Sequence, residues 1–285
     1  IVTKSGTNEF HGTAFYYRSD DSFIGDKSKG EDLNIGDFSE DTYGFTVGGP
    51  ILEDELFFFA SYEKFDSSRP YQFTLDNENG IAEANEKIGV TQQQFDQISE
   101  IAQRVWGYDI GGYSTTADEK DEKLLLKFDW FMNDEHRASF TYQDNEGNTV
   151  RDYWAETFPN ARWATSESNR YNMNESLKAY SLQVFSDWNE DFATELKIAR
   201  KDVETEQIPL FGTNFGQMLI NTPTGGALYI GPDQFRHANA LANKRDMFKL
   251  KGDYFLNDEH ELTFGIEYEK LDIANTFVFG SLGMT

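Results

Sequence analysis

Apolar and polar side chains alternate one by one in repeated segments of about ten residues. Between positions 261 and 269, the even positions are Leu, Phe, Ile and Tyr, whereas the odd positions are Glu, Thr, Gly, Glu and Glu. Similar alternation occurs at 124–130, 137–143, 192–198 and 248–256. Because successive side chains of a strand point to opposite faces, each segment predicts a β-strand with one apolar and one polar face. The chain is therefore predicted to be all-β.

The connections between these segments are alternately short and long. Four short polar turns lie at 53–55, 133–136, 189–191 and 257–260, and two of them have the sequence Asn-Asp-Glu-His. The long connections run roughly from Ser19 to Asp41, Ser67 to Lys120, Gly147 to Arg170 and Thr205 to Asn243. Tight turns at one end and long loops at the other are typical of bacterial outer-membrane barrels.

This pattern predicts an antiparallel transmembrane β-barrel with long extracellular loops. About nine strands can be counted, and an odd number does not close an antiparallel up-and-down barrel. We therefore expect the chain to contain only part of a barrel. No apolar run approaches the ~18 residues of a spanning helix, so strands must cross the membrane.

The composition excludes several partners and chemistries. The formal net charge of -25 would repel a nucleic-acid backbone, so we expect no nucleic-acid partner. The aromatic content of 15% is too high for the acidity to indicate disorder. The chain has no cysteine, so neither a disulfide nor a thiolate metal site can form.

Two stretches depart from the strand pattern. Thr91 to Trp106 places Phe95, Ile98 and Ala102 at helical spacing, which predicts one short helix in a loop with Thr91 as its cap. The charge run from 118 to 123 is interpreted as a solvated loop end.

No catalytic, cofactor or metal motif is present. The four histidines His11, His136, His237 and His260 have no zinc-binding spacing, and two of them belong to the repeated turns, where we expect a structural role. The acidic stretches 76–80 and 144–148 lack the spacing of calcium loops. Nucleophile elbows and phosphate-binding loops are also absent, so we expect a protein that is not an enzyme.

Two longer motifs are specific enough to indicate a family. The first motif begins at Val2 and reads Val-Thr-Lys-Ser-Gly-Thr-Asn, followed by Glu9 and by Phe-His-Gly at 10–12. The second motif begins at Gly44 and reads Gly-Phe-Thr-Val-Gly-Gly-Pro-Ile, followed by Leu-Phe-Phe-Phe at 56–59. The first resembles the junction between plug and barrel in Oar-like TonB-dependent receptors. The second resembles the next two barrel strands of that family with their periplasmic turn.

The resemblance implies a domain organisation and a set of partners. Residues 1–9 would end the plug and form the junction, and residues 10–285 would form the N-terminal part of a barrel of about 22 strands, incomplete at its C-terminus. The function implied is energy-coupled passage of a bulky, unidentified substrate. The implied partners are outer-membrane lipid and lipopolysaccharide, the protein's own plug and remaining strands, and the TonB complex.

In such a barrel, the polar faces of the strands line the lumen. The candidates for lumen-facing residues, and hence for substrate contact, are Lys127, Asp129, Lys249, Lys251, Asp253, Glu267 and Glu269. Leu262, Phe264, Ile266 and Tyr268 are expected to face lipid.

Three other functions are consistent with parts of the pattern. A passive porin or an adhesin-like barrel would lack the plug. A secreted β-sandwich that binds carbohydrate would pack its apolar faces sheet on sheet. An outer-membrane hydrolase would need a nucleophile arrangement that the sequence does not contain.

Overall fold

The computed structural model describes residues 3–25, 27–28, 31–32, 37–70, 75, 88–114, 116–151, 163–233, 235, 239–257 and 259–277. In these ranges the chain forms one α-helix, α1 (Gln92–Trp106), and fourteen strands. The strands are β1 (His11–Asp20), β2 (Lys27–Ser28), β3 (Glu31–Asp32), β4 (Ser39–Leu52), β5 (Leu56–Pro70), β6 (Thr116–Phe131), β7 (His136–Arg151), β8 (Trp163–Thr165), β9 (Tyr171–Asn189), β10 (Phe192–Pro209), β11 (Met218–Asn221), β12 (Ala227–Ile230), β13 (Ala240–Asn257) and β14 (His260–Thr276).

Nine long strands form one antiparallel meander. Their order in the sheet is β1-β4-β5-β6-β7-β9-β10-β13-β14, so every strand pairs with the next long strand along the chain. The predicted number of nine strands and their antiparallel pairing are confirmed. Within the described residues the sheet is not closed, because β1 and β14 lie at opposite edges.

The strands are longer than the sequence pattern predicted. β6, for example, begins at Thr116, so the charge run 118–123 lies inside a strand and its interpretation as a loop end was wrong. Other strands also pair beyond their apolar segments: β1 and β4 pair as far as Asp20 with Ser39, and β7 and β9 pair as far as Arg151 with Tyr171. Cross-strand charge pairs replace apolar alternation there, as in the contact of Lys64 Nζ with Glu122 Oε1 at 2.7 Å. The apolar pattern therefore marks only the central part of each strand.

The short turns are held by an asparagine side chain. The Asn133 carboxamide oxygen accepts hydrogen bonds from the backbone N–H groups of Glu135 at 3.0 Å and His136 at 2.7 Å. Asn257 accepts from Glu259 and His260 at 3.0 Å each in the second copy of the turn. This side-chain to backbone bonding accounts for the repeated sequence and fits the structural role expected for its histidines.

Parts of three long connections pack together at the other end of the sheet. We call residues 75, 88–114, 163–170 and 210–233 the loop cap. Three short strands of the cap form a small sheet. In it, β12 pairs antiparallel with β11 of the same connection and parallel with β8 of another connection. The core of the cap consists of buried apolar residues from all three connections, namely Leu75, Ile88, Val90, Phe95, Ala102, Ile110, Ala164, Leu228 and Ile230.

Helix α1 belongs to this core. Thr91 Oγ1 accepts from the N–H of Gln94 at 3.2 Å, and Gln94 Oε1 accepts from the N–H of Thr91 at 2.9 Å, which forms a complete capping box. Gly107 ends the helix in the left-handed conformation. The helix predicted from Thr91 to Trp106 is therefore confirmed, and its apolar face packs on other loops through Phe95 and Ala102.

Candidate functional site

One face of the nine-stranded sheet is apolar across its full width. Register pairs join Leu262 of β14 to Tyr254, Leu196 of β10 to Leu250, and Phe128 of β6 to both Phe58 and Phe140. These side chains remain accessible, and Ile266 is 62% exposed. The apolar face thus has no second sheet on it within the described residues, which disfavours the β-sandwich alternative.

Aromatic residues lie at both margins of this apolar face. Tyrosines occupy the margin nearest the long connections, at positions 16, 43, 62, 142, 180 and 268. Trp130, Trp188 and Tyr254 lie near the short turns. The segment of β6 from Trp130 to Glu122 is about 27 Å long. With a strand tilt of about 40°, its height along the membrane normal is roughly 20 Å. This height approaches that of the apolar band of an outer-membrane barrel, which has aromatic girdles at its interfaces.

Charge pairs begin just beyond the tyrosines on the same face. Arg18 Nη1 lies 3.3 Å from Asp41 Oδ2, and Lys64 Nζ lies 2.7 Å from Glu122 Oε1. Farther along the sheet, Lys178 Nζ is 3.7 Å from Asp144 Oδ2 and Arg200 Nη1 is 3.6 Å from Asp246 Oδ1. Such partly exposed pairs add little stability. Their position instead marks where the apolar band ends.

The candidate lumen residues all lie on the opposite, polar face. A single register row connects Glu267, Lys249, Lys197, Gln183, Ser139 and Asp129 across β14, β13, β10, β9, β7 and β6. The sequence pattern therefore assigned these residues to one common face. That this face is a lumen stays a prediction.

The structure separates these candidates into two groups. Lys127 Nζ lies 3.3 Å from Asp129 Oδ1 on β6, and both side chains are mostly buried, at 13% and 14% exposure. Lys251 Nζ lies 2.8 Å from Asp253 Oδ2 on β13, which three strands separate from β6. Glu269 contacts Arg245 at 3.3 Å.

Sequence reasoning missed charged residues between these groups. Glu195 pairs in register with Lys251, and Lys197 pairs with Lys249. They could have been found from the alternation of β10, since Glu195 and Lys197 occupy the positions between Thr194, Leu196 and Ile198.

The segment before β1 crosses the polar face at the base of β4 and β5, where glycines make room for it. A Cβ on Gly6 would lie 2.8 Å from the Gly49 carbonyl oxygen and closer still to that of Phe58. Gly48 lies against the Gly6 Cα, while the ring of Phe10 covers Gly49. Gly6 and Gly48, one from each sequence motif, therefore permit the close approach of two backbones, whereas Gly49 makes room for an aromatic ring.

Side chains fix this segment to the wall at two points. Asn8 Nδ2 donates to Asp54 Oδ1 at 2.6 Å, and the backbone N–H of Asp54 donates to Asn8 Oδ1 at 2.8 Å. Lys127 Nζ donates to Ser5 Oγ at 2.7 Å. The first contact explains the turn at 53–55, where Asp54 adopts a positive φ of 63°. Sequence gave no signal for either contact, since the partners are far apart in the chain.

Two tyrosines of the loop cap have a phenol pKa above the ordinary value. Burial raises the pKa of the Tyr108 phenol above its ordinary value, and the nearby carboxylate of Asp109 adds to the shift. Burial also raises the pKa of Tyr229, with a further contribution from Asp233. Since the neutral phenols are the favoured forms, the packed cap is an apolar environment around both rings.

Among the described residues, His, Asp and Glu form no group of three able to hold a metal ion. The acidic stretch 144–148 lies within β7, and 76–80 lies outside the described residues. In the same ranges, no helix is long and apolar enough to cross a membrane.

Comparisons with known proteins agree with this architecture. A family model described as an outer membrane beta barrel domain matches residues 2–283. The TonB-dependent transporter Oar of Myxococcus xanthus is 28% identical over 166 residues, which cover 52% of this chain and 14% of that protein. The crystal structure of the outer membrane transporter YddB from Escherichia coli is similar with a TM-score of 0.58 at 12% identity, over 94% of this chain and 31% of the transporter chain. The chain thus spans a small part of the length of these relatives.

Proposed function

The chain belongs to the outer membrane beta barrel domain family and lies in the bacterial outer membrane, and from this premise we propose that it forms part of the wall of a TonB-dependent transporter. The observation that carries the proposal is the apolar face, which continues across nine antiparallel strands and is bordered by aromatic and then charged residues. Such a face fits a lipid bilayer rather than a protein core.

The proposed organisation follows from the two edges of the sheet. Since β1 and β14 have no further neighbour within the described residues, we propose that additional strands close the barrel. We assign residues 10–285 to the N-terminal part of a barrel of about 22 strands. Residues 1–9 are assigned to the end of the plug, because Gly6 packs against the polar face and because Lys127 and Asp54 anchor Ser5 and Asn8 to the wall.

The polar face then lines the path of the substrate. Lys127 and Asp129 lie beside the junction, so we propose that they position the plug end, whereas Lys249, Lys251, Asp253, Glu267 and Glu269 face the lumen farther around the wall. Transport would be driven through the plug by the TonB complex. We propose no catalytic site, cofactor or metal.

Similarity to a TonB-dependent transporter favours this function over a passive porin or an adhesin-like barrel. The junction gives a second reason, because a barrel without a plug has no need of a segment fixed to the inner wall at Ser5 and Asn8. The substrate remains a bulky solute of unidentified class.

Site-directed spin labelling tests the wall. Nitroxides at positions 264 and 265 of the full-length protein in bilayers should differ, with 264 quenched by oxygen in the lipid and 265 by a water-soluble nickel complex. The reverse result would show that the two faces are wrongly assigned.

Energy coupling needs a separate test. The full-length protein should be captured by the purified periplasmic domain of TonB, whereas a variant lacking everything before Thr3 should not be. Equal capture of both proteins, or of neither, would contradict the TonB-dependent proposal and promote the passive barrel.

A further inference from the structure

Among the described residues, five cations lie close together on the polar face of β10 and β13. They are Lys197 and Lys201 of β10 and Arg245, Lys249 and Lys251 of β13. The register places Lys197 directly opposite Lys249, and Lys201 directly opposite Arg245. Like charges in opposite positions of neighbouring strands destabilise a sheet. In a protein with a formal net charge of -25, stability therefore does not explain this concentration of positive charge.

Carboxylates on the same face neutralise two of the five cations. Lys251 Nζ lies 2.8 Å from Asp253 Oδ2, and Arg245 Nε lies 3.3 Å from Glu269 Oε1. The three other cations, which we call the free lysines, form no ion pair with any described residue, namely Lys197, Lys201 and Lys249. A surplus of positive charge therefore remains on this part of the wall.

The closest carboxylates do not reach the free lysines. Glu267 is the register partner of Lys249, and Glu195 lies two residues before Lys197 on β10, yet neither forms an ion pair with a free lysine. On the other side, the neighbouring positions of β9 are uncharged, namely Ala179, Ser181 and Gln183. The free lysines are thus available to an anion that approaches this face of the sheet.

An apolar group lies next to the free lysines on the same face, toward the long connections. Val203 follows Lys201 by two residues and pairs in register with Leu177. Leu271 and Ile273, on the edge strand β14, lie in the rows of Lys201 and Val203 and are 43% and 59% exposed. Since the interior of an outer-membrane barrel is generally polar, these apolar side chains indicate contact with something other than water.

We propose that this part of the wall binds an amphiphilic organic anion, which is the class of the transported substrate. The free lysines bind its carboxylate or phosphate group, and Val203 and Leu177 contact its apolar part. The anchored plug end is not the partner, because β7 and β9 separate β10 from Lys127 and Ser5 of the junction. The inference rests on the proposed function, because it needs this face to line the lumen.

Isothermal titration calorimetry of the full-length protein, in a nonionic detergent at low ionic strength, tests the proposal with phenylbutyrate as the probe. Butyrate has the anion without the ring, and phenylbutyramide has the ring without the charge. We expect phenylbutyrate to bind about tenfold more tightly than either, since it alone engages both groups of side chains. Its affinity should fall as salt is added. Equal affinity for the three compounds would overturn the proposal.

Substitutions locate the binding on the wall. Lys197→Gln combined with Lys249→Gln should weaken phenylbutyrate binding about tenfold, because the anion loses two of its cationic partners. Val203→Thr should lower the affinity toward that of butyrate. Lys178→Gln combined with Lys244→Gln is the matched control, because both lysines flank Asp202 on the opposite face of the same sheet. This control should bind like the wild type, and an equal loss in both double variants would indicate a general charge effect and contradict the site.

Thermal melting of the ligand-free full-length protein separates a substrate site from a contact with the plug. Lys249→Gln should raise the melting temperature, because it removes a like charge opposite Lys197. A lower melting temperature would mean that an acidic surface of the plug neutralises Lys249, and it would overturn the proposal. If a nitroxide at 265 is still quenched by the nickel complex in that case, the transporter wall stands and only the anion site fails.

Discussion

At the residue scale, the side chain that best tests the membrane face is Phe264. Its ring lies over Gly252 of the neighbouring strand, so close that a Cβ there would be 2.8 Å from the ring. Phe264→Arg should destabilise the folded barrel by about 2–4 kcal/mol, because a guanidinium near the bilayer midplane loses its hydration. Denaturant unfolding of the full-length protein in lipid vesicles measures this loss. Thr263→Arg, on the polar face, should change the stability far less, and equal losses would argue against a lipid-facing position for Phe264.

The second prediction at this scale concerns Gly6. Gly6→Val should force the junction segment away from the wall, because the added side chain would collide with the Gly49 and Phe58 carbonyl groups. We expect faster tryptic cleavage after Lys4 in the full-length protein. Gly216→Val is a suitable control, since a Cβ on Gly216 meets nothing within 4 Å. A cleavage rate that does not change in Gly6→Val would mean that this close packing is not what holds the junction.

At the scale of elements, the loop cap should behave as one cooperative unit. Leu228 on β12 is fully buried among residues from all three connections. Leu228→Ala should therefore cost about 2–5 kcal/mol of cap stability. Hydrogen exchange should become faster in 88–114 and 163–170 as well as in β12, while the long strands keep their protection. Leu219→Ala, at a position that is 44% exposed, should leave all three connections protected, and faster exchange confined to β12 would show that the loops move independently.

Alkaline pH should open the same cap. The pKa of Tyr108 is raised by burial, so the folded cap holds the proton more tightly than the unfolded chain does. The resulting stability is complete below the ordinary tyrosine pKa of about 10 and is lost as the pH rises through the higher pKa of the folded state. Hydrogen exchange of the cap measured below and above that pH, with intrinsic rates corrected, reports the loss. Tyr108→Phe should reduce the pH dependence, with the remainder due to Tyr229, and an unchanged slope would exclude Tyr108 as the source.

The elements differ in how far the sequence predicts them. The alternating segments, together with the succession of short turns and long connections, predicted nine long strands, and each alternating segment also predicted its two faces, because a half-exposed strand must repeat every second residue. It did not identify the outer parts of the strands, where charge pairs such as Lys64 with Glu122 support the sheet in water. Strands β8, β11 and β12 were also missed, since each has only three or four residues and pairs within the cap. Helix α1 was predictable because its cap and apolar spacing are local in the chain.

At the scale of the whole molecule, the open sheet predicts that residues 1–285 are not soluble as a separate protein in water. Residues 1–285 expressed alone and without detergent should aggregate, because the sheet formed by the described residues has a wide apolar face and ends at β1 and β14 without a further strand on either edge. Analytical ultracentrifugation and thermal melting provide the measurement. The full-length protein in detergent is the control and should be monodisperse. A soluble monomer of 1–285 that melts cooperatively would instead favour a domain that buries its apolar face internally.

The shared core of the loop cap also limits which substitutions its three connections can accept during evolution. Ile110, Ala164 and Leu228 come from three separate connections and yet fill one interior. A mutation that enlarges a side chain in one connection would need compensating changes in the other two, so the three segments should co-evolve as a block. Exchanging a single loop between homologues would break that block, whereas transplanting all three together would preserve it. Variation in this region would then arise by replacement of the whole cap or by substitutions at its exposed positions.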